Sequence, residues 1–62
     1  MNMYEAIDGI VERTRAAMIE DCRTEISDKA AGDIAADYLD TLAVKIRDEI
    51  KTYLRAYNDF KK

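Results

Sequence analysis

The chain has 62 residues, a formal net charge of −3, 48% hydrophobic and 37% charged residues, and no histidine, proline or tryptophan. This length fits one domain (residues 1–62), and the negative charge disfavours general nucleic-acid binding, which depends on neutralising phosphates. Lack of histidine removes the commonest general base and metal ligand, and a single cysteine excludes an internal disulfide.

The sequence predicts a cytosolic protein that is only marginally stable by itself. Residues 1–5 show no basic region followed by an apolar run, and no apolar stretch approaches the roughly 20 residues of a membrane helix. Cys22 is expected to remain a reduced, buried thiol. Because a chain of this size buries only about 60% of its unfolded surface, we expect oligomerisation to supply the missing stability.

Helix 1 is predicted over residues 3–24. Asn2 is the expected N-cap, and Glu5 three residues later suits a capping box. Apolar residues recur at steps of three and four and therefore share one helical face; they are Met3, Ile7, Ile10, Val11, Met18 and Cys22. Asp21 and Glu25 then enter this face, so helix 1 is expected to lose its partner surface around residues 21–26.

A hairpin turn is predicted between residues 23 and 33. Ser27 is the first candidate for the second N-cap, and Asp28 beside it suits the helix dipole. Gly32 followed by Asp33 is the competing turn signal. Both interpretations give an antiparallel helical hairpin.

Helix 2 is predicted over residues 28–60 and is the longer helix. Its apolar stripe spans about 120–160° of the helix surface, which is wider than a single coiled-coil seam. One neighbouring helix cannot cover both flanks of such a stripe, so we predict a dimeric four-helix bundle. The apolar residues expected in the interface are Tyr38, Leu42, Ile46, Ile50, Leu54 and Phe60.

The polar side of helix 2 changes sign along its length. Its charged residues are the acidic Asp33, Asp37 and Asp40 and then the basic Arg47, Lys51 and Arg55. Such a stripe complements itself when two copies lie antiparallel, so we predict an antiparallel homodimer with the acidic residues in the interface. Solvated charges that only maintain solubility are one alternative, and a divalent-cation site on the acidic residues is another.

Two further features of helix 2 have alternative interpretations. Tyr53 and Tyr57 are expected to pack in the core or interface, but they also follow the basic stretch. An anionic ligand such as a nucleotide, bound by Arg47, Lys51 and Arg55 and stacked on the tyrosines, is therefore an alternative. Val44 lies within the polar stripe, either as an ordinary exposed valine or as the centre of a contact.

No enzymatic activity, cofactor or metal is predicted, because Cys22 and Ser27 have no histidine to activate them. The predicted function is that of a protein-binding inhibitor, adaptor or regulator, a profile found among proteins of phages and mobile elements. Its partners would be a second copy and a larger protein, with no membrane partner. Two alternatives stay open: sequestration of a small anionic ligand between subunits, and binding of RNA or DNA by the basic end of helix 2.

Overall fold

The computed structural model describes residues 2–61 and shows two antiparallel α-helices packed against each other. Helix α1 spans Met3–Glu25 and helix α2 spans Lys29–Lys61. The predicted all-helical hairpin with a short first and a long second helix is therefore confirmed. Within the described residues, neither helix contains an apolar stretch long enough to cross a membrane.

The start of α1 is fixed by Asn2. Its Oδ1 accepts a hydrogen bond from the backbone N–H of Glu5 at 2.9 Å, and its Nδ2 donates to Glu5 Oε1 at 3.2 Å. The cap thus satisfies one of the backbone donors that a helix leaves free at its first turn. At the other end, the N–H of Ile26 donates to the carbonyl of Cys22 and closes the last turn.

The cap of α2 differs from the predicted one. Asp28, rather than Ser27 or Asp33, caps the helix: its Oδ1 accepts from Ala31 N–H at 2.9 Å, and its carbonyl accepts from Gly32 N–H. Ser and Asp are both good N-caps. Asp28 becomes the cap because it directly precedes Lys29, the first residue of α2. Gly32 accordingly lies inside the first turns of α2 and does not form the turn.

The seam between the helices is built from small residues of α2. Gly32, Ala36 and Ala43 are its buried residues, and α1 has none within its span. Small side chains allow two helix backbones to approach closely. Larger apolar side chains flank this line and are only half-buried; they are Ile7, Val11, Met18, Cys22, Leu39, Leu42, Ile50 and Leu54.

The hairpin is a single layer of helices. Its Cα atoms extend over 51 × 19 × 11 Å, and no large side chain in the described chain is fully buried. Stable domains generally consist of at least two packed layers around one apolar core. In this single layer no second layer covers either broad side, and the two sides differ in the side chains that they carry.

Candidate protein-interaction surface

One broad side of the hairpin is apolar. We define the apolar face as Ile10 of α1 together with Tyr38, Leu42, Ile46, Tyr53, Tyr57 and Phe60 of α2. The exposed fraction is 50% for Ile10, 51% for Ile46, 68% for Tyr53 and 91% for Phe60. Large contiguous apolar patches are rare on the surfaces of monomeric proteins, and where they occur they often mark interaction surfaces.

An apolar groove runs between the helices on this side. Ile10 and Ile46 lie on its two walls at the same level of the hairpin, so the apolar face is continuous across both helices. The remaining lining residues are Val11, Thr14, Met18, Ala43 and Ile50. Thr14 supplies the only polar side chain among them.

The opposite side carries ion pairs that link α1 to α2. Asp8 Oδ1 lies 2.6 Å from Lys51 Nζ and 4.0 Å from Arg47 Nε. Arg15 Nη1 lies 2.9 Å from an Asp40 carboxylate oxygen. We call this side the polar face. Its ion pairs form at the rotation that places the small residues of α2 against α1.

The same pattern continues near the turn. Arg23 Nε lies 3.8 Å from Asp33 Oδ1, and Lys29 Nζ donates to Asp33 Oδ2 at 2.9 Å. The hydrogen bond and charge of Lys29, with a smaller contribution from Arg23, hold the pKa of Asp33 below its usual value. The neighbouring Glu12 and then Asp40 raise the pKa of Arg15.

Most of the charges predicted to pair between two copies thus have partners inside one chain. Asp33, Asp40, Arg47 and Lys51 all contact oppositely charged residues of α1. The sequence contained this signal, because Asp8, Arg15 and Arg23 follow one another at steps of seven and eight along one flank of α1. Asp37 makes no ion pair within residues 2–61, and interchain pairing of this stripe remains a prediction.

The five residues considered for an anionic ligand do not converge. A groove between the helices on the polar face, which we call the polar groove, is lined by Asp8, Arg47 and Lys51 among others, whereas Tyr53 and Tyr57 do not line it. The ring of Tyr57 has Lys61 Nζ 6.0 Å from its centroid. Arg55 lies elsewhere again, at the open end of the hairpin.

The open end is closed by polar contacts between the first turn of α1 and the last turns of α2. The amide Nδ2 of Asn58 donates to the hydroxyl of Tyr4 at 3.0 Å. The guanidinium of Arg55 lies 5.9 Å from the centroid of the Tyr4 ring, within range of a cation–π interaction. These contacts occupy Arg55 with a residue of its own chain.

In the part of the chain described, no three side chains of the metal-ligating types cluster together, and Cys22 is a free, half-buried thiol. Val44, 42% exposed, lines the polar groove beside Asp40 and Arg47. Of the predicted apolar interface residues, Leu42, Ile50 and Leu54 are half-buried, whereas Tyr38, Ile46 and Phe60 stay exposed.

Comparison with protein-family models, with curated proteins and with solved structures yields no match at a significant level.

Proposed function

We propose that the protein is a non-catalytic, cytosolic protein-binding module that acts as a homodimer. Two hairpins place their apolar faces together and form a four-helix bundle. The outer, charged surfaces of the bundle then contact a larger protein, which the dimer inhibits, links or regulates. Exposure of the apolar face is the observation that supports this proposal.

The accessible surface supports a second layer of helices. The chain exposes 4959 Å² at a mass of 7.1 kDa, whereas a compact monomer of that mass exposes about 4,100 Å². The excess, roughly 900 Å², is close to the roughly 800 Å² that each partner buries in an interface of standard size. Packing two apolar faces together would remove that excess.

The composition of the apolar face suits a protein partner. Tyrosine and phenylalanine are enriched in the cores of interfaces, where they bury a large area with few rotatable bonds. Tyr38, Tyr53 and Phe60 supply such rings on one side of α2, and Ile46 lies between them in sequence. Complete burial of an isoleucine or phenylalanine side chain, such as Ile46 or Phe60, contributes about 1.5–3 kcal/mol.

The anionic-ligand and nucleic-acid alternatives gain no support from the geometry. A phosphate that bound Arg47 and Lys51 would have to displace or lie beside the Asp8 carboxylate that already contacts Lys51 at 2.6 Å. Nucleic-acid binding depends on basic side chains that neutralise phosphates, and in the basic part of α2 Arg47 and Lys51 already pair with Asp8. We therefore propose protein binding alone.

Two matched substitutions on α2 test the proposal. Ile46 is 51% exposed on the apolar face, and Val44 is 42% exposed on the polar face. We expect sedimentation velocity at micromolar concentration to show a dimer for the wild type and for Val44→Asp, and a shift towards monomer for Ile46→Asp. A folded wild-type monomer would contradict the dimer, and dissociation by Val44→Asp alone would place the interface on the polar face.

Binding of a larger protein is tested separately by affinity capture from the native cell lysate. The wild type serves as the bait, with Ile46→Asp as the dimer-deficient comparison and mass spectrometry of both proteins and small molecules. We expect a protein to be retained specifically by the dimeric wild type. Retention of a small anionic molecule without any protein would contradict the proposed class of function.

A further inference from the structure

We infer that a second copy covers the apolar face in one defined register: the two α2 helices run antiparallel, and the two-fold axis passes at Ile46. This inference rests on the proposed homodimer and specifies its geometry. In this register, a residue on the apolar face of α2 lies opposite the position of the partner's α2 that is equally far from Ile46 in the other direction along the helix.

Side-chain size along α2 supports the antiparallel direction. The stripe begins with small residues such as Ala31 and Ala35 and ends with the aromatic Tyr57 and Phe60. With the axis at Ile46, Ala35 of one copy faces Tyr57 of the other, and Phe60 reaches the first turns of α2 near Ala31. Large residues opposite small ones fill an interface evenly, whereas a parallel pair would set ring against ring and leave gaps between the alanines.

Helix α1 shows the same complementarity about the same level. Ile10 lines the apolar groove together with Ile46, so an axis at Ile46 also brings the two copies of Ile10 together. Met3 of one copy then faces Ala17 of the other, at seven positions on either side of Ile10. The side chains of α1 and of α2 are therefore both consistent with a two-fold axis at the level of Ile10 and Ile46.

The register also explains where the apolar face of α1 ends. Residues of α1 beyond Ala17 have no counterpart in the partner's α1, because that helix begins at Met3. Asp21 and Glu25 occupy the apolar flank of α1 in that region, and both are exposed. Acidic side chains at these positions fit a segment that the partner's α1 does not cover.

Charges at the edge of the apolar face add a further argument. Lys45 and Glu49 lie beside Ile46 on the outer edge of α2, and neither makes an ion pair within residues 2–61. In the antiparallel register, Lys45 of each copy comes within about one helical turn of Glu49 of the other. In a parallel pair, equal charges would face each other and repel.

Cysteine cross-linking in a Cys22→Ser background tests this register directly. Two residues on the axis are neighbours, so Ile46→Cys should form a covalent dimer under oxidised glutathione. Tyr53→Cys, on the same face, should not: two copies of residue 53 lie about 21 Å apart along the axis, far beyond the ~4.4–6.8 Å Cα separation of a disulfide. The double variant Ala35→Cys/Tyr57→Cys should again cross-link, although each of its single variants should not.

Each outcome decides the inference. Equal cross-linking of Ile46→Cys and Tyr53→Cys indicates a parallel pair and overturns the register while the dimer itself stands. Cross-linking of none of the variants, with a dimer still present in sedimentation, places the axis elsewhere and also overturns it. A monomeric Cys22→Ser protein and a monomeric wild type would refute the homodimer together with its register. Circular dichroism on every variant establishes that it remains helical.

Discussion

Replacing Gly32 with alanine should stabilise the protein. Gly32 is buried in α2, and no glycine in the described chain has a positive φ angle, so its backbone accepts any L-residue. A Cβ built at this position would lie 3.5 Å from the carbonyl oxygen of Cys22 and 3.8 Å from the Cβ of Ile26, which are ordinary van der Waals distances. Alanine favours a helix interior over glycine by about 0.8–1.0 kcal/mol. We therefore expect the free energy of unfolding of Gly32→Ala to rise by about 1 kcal/mol.

Thermal unfolding followed by circular dichroism measures this effect. For a domain of this size, about 1 kcal/mol raises Tm by roughly 4–8 °C. All variants must be compared at one protein concentration, because association makes Tm concentration-dependent. Gly32→Leu supplies the opposite expectation: its longer side chain must displace the end of α1, and overpacking of this kind costs about 1–3 kcal/mol.

Gly9→Ala is the matched control. Its Cβ would meet only the Nη1 atom of Arg13, at 3.2 Å, and that atom ends a flexible side chain that can move aside. It should gain the same helix propensity without touching the neighbouring helix. If Gly9→Ala raised Tm while Gly32→Ala lowered it, the first turns of α2 would pack more tightly against α1 than these distances show, and the reasoning would be refuted.

The remaining predictions concern the turn. Asp28→Ala should lower the free energy of unfolding by about 1 kcal/mol through loss of the N-cap, whereas Ser27→Ala should leave it nearly unchanged; urea unfolding measures both, and a larger loss for Ser27→Ala would contradict the assigned cap. Acid should weaken the fold through Asp33: because its pKa is lowered in the folded state, its contribution is complete above the unfolded pKa of about 3.9 and is lost as the pH falls through the lower folded value. Asp33→Asn should therefore show a flatter decline of stability below about pH 4 than the wild type, and an unchanged slope in urea unfolding would contradict this role.

Periodicity was sufficient to predict the two helices, because apolar residues at steps of three and four leave little choice of secondary structure. Asn2 and Glu5 also stand in the order that a capping interaction requires, and the structure shows their contact. The prediction of Ser27 as the cap of α2 was wrong, because Ser27 and Asp28 are adjacent and serve about equally well as N-caps. Only the path of the three-residue turn distinguishes them.

The rotation of the helices could not be predicted from one stripe alone. The stripe of α2 is wide enough for α1 to contact either flank. In the structure, α1 lies over the line of Gly32, Ala36 and Ala43, where backbones approach most closely, and the aromatic flank remains outside. This rotation also brings Arg15 to Asp40 and Lys51 to Asp8, contacts that required the flanks of both helices to be considered together.

The contact between Tyr4 and Asn58 has a consequence for the order of folding. These residues are 54 positions apart, whereas Arg23 and Asp33 near the turn are separated by only ten. Closing a long loop costs more chain entropy than closing a short one. Contacts between α1 and α2 should therefore form first beside the turn and then progressively towards the open end of the hairpin. Tyr4 and Asn58 would then join last, and transient opening of the native hairpin would begin by releasing them.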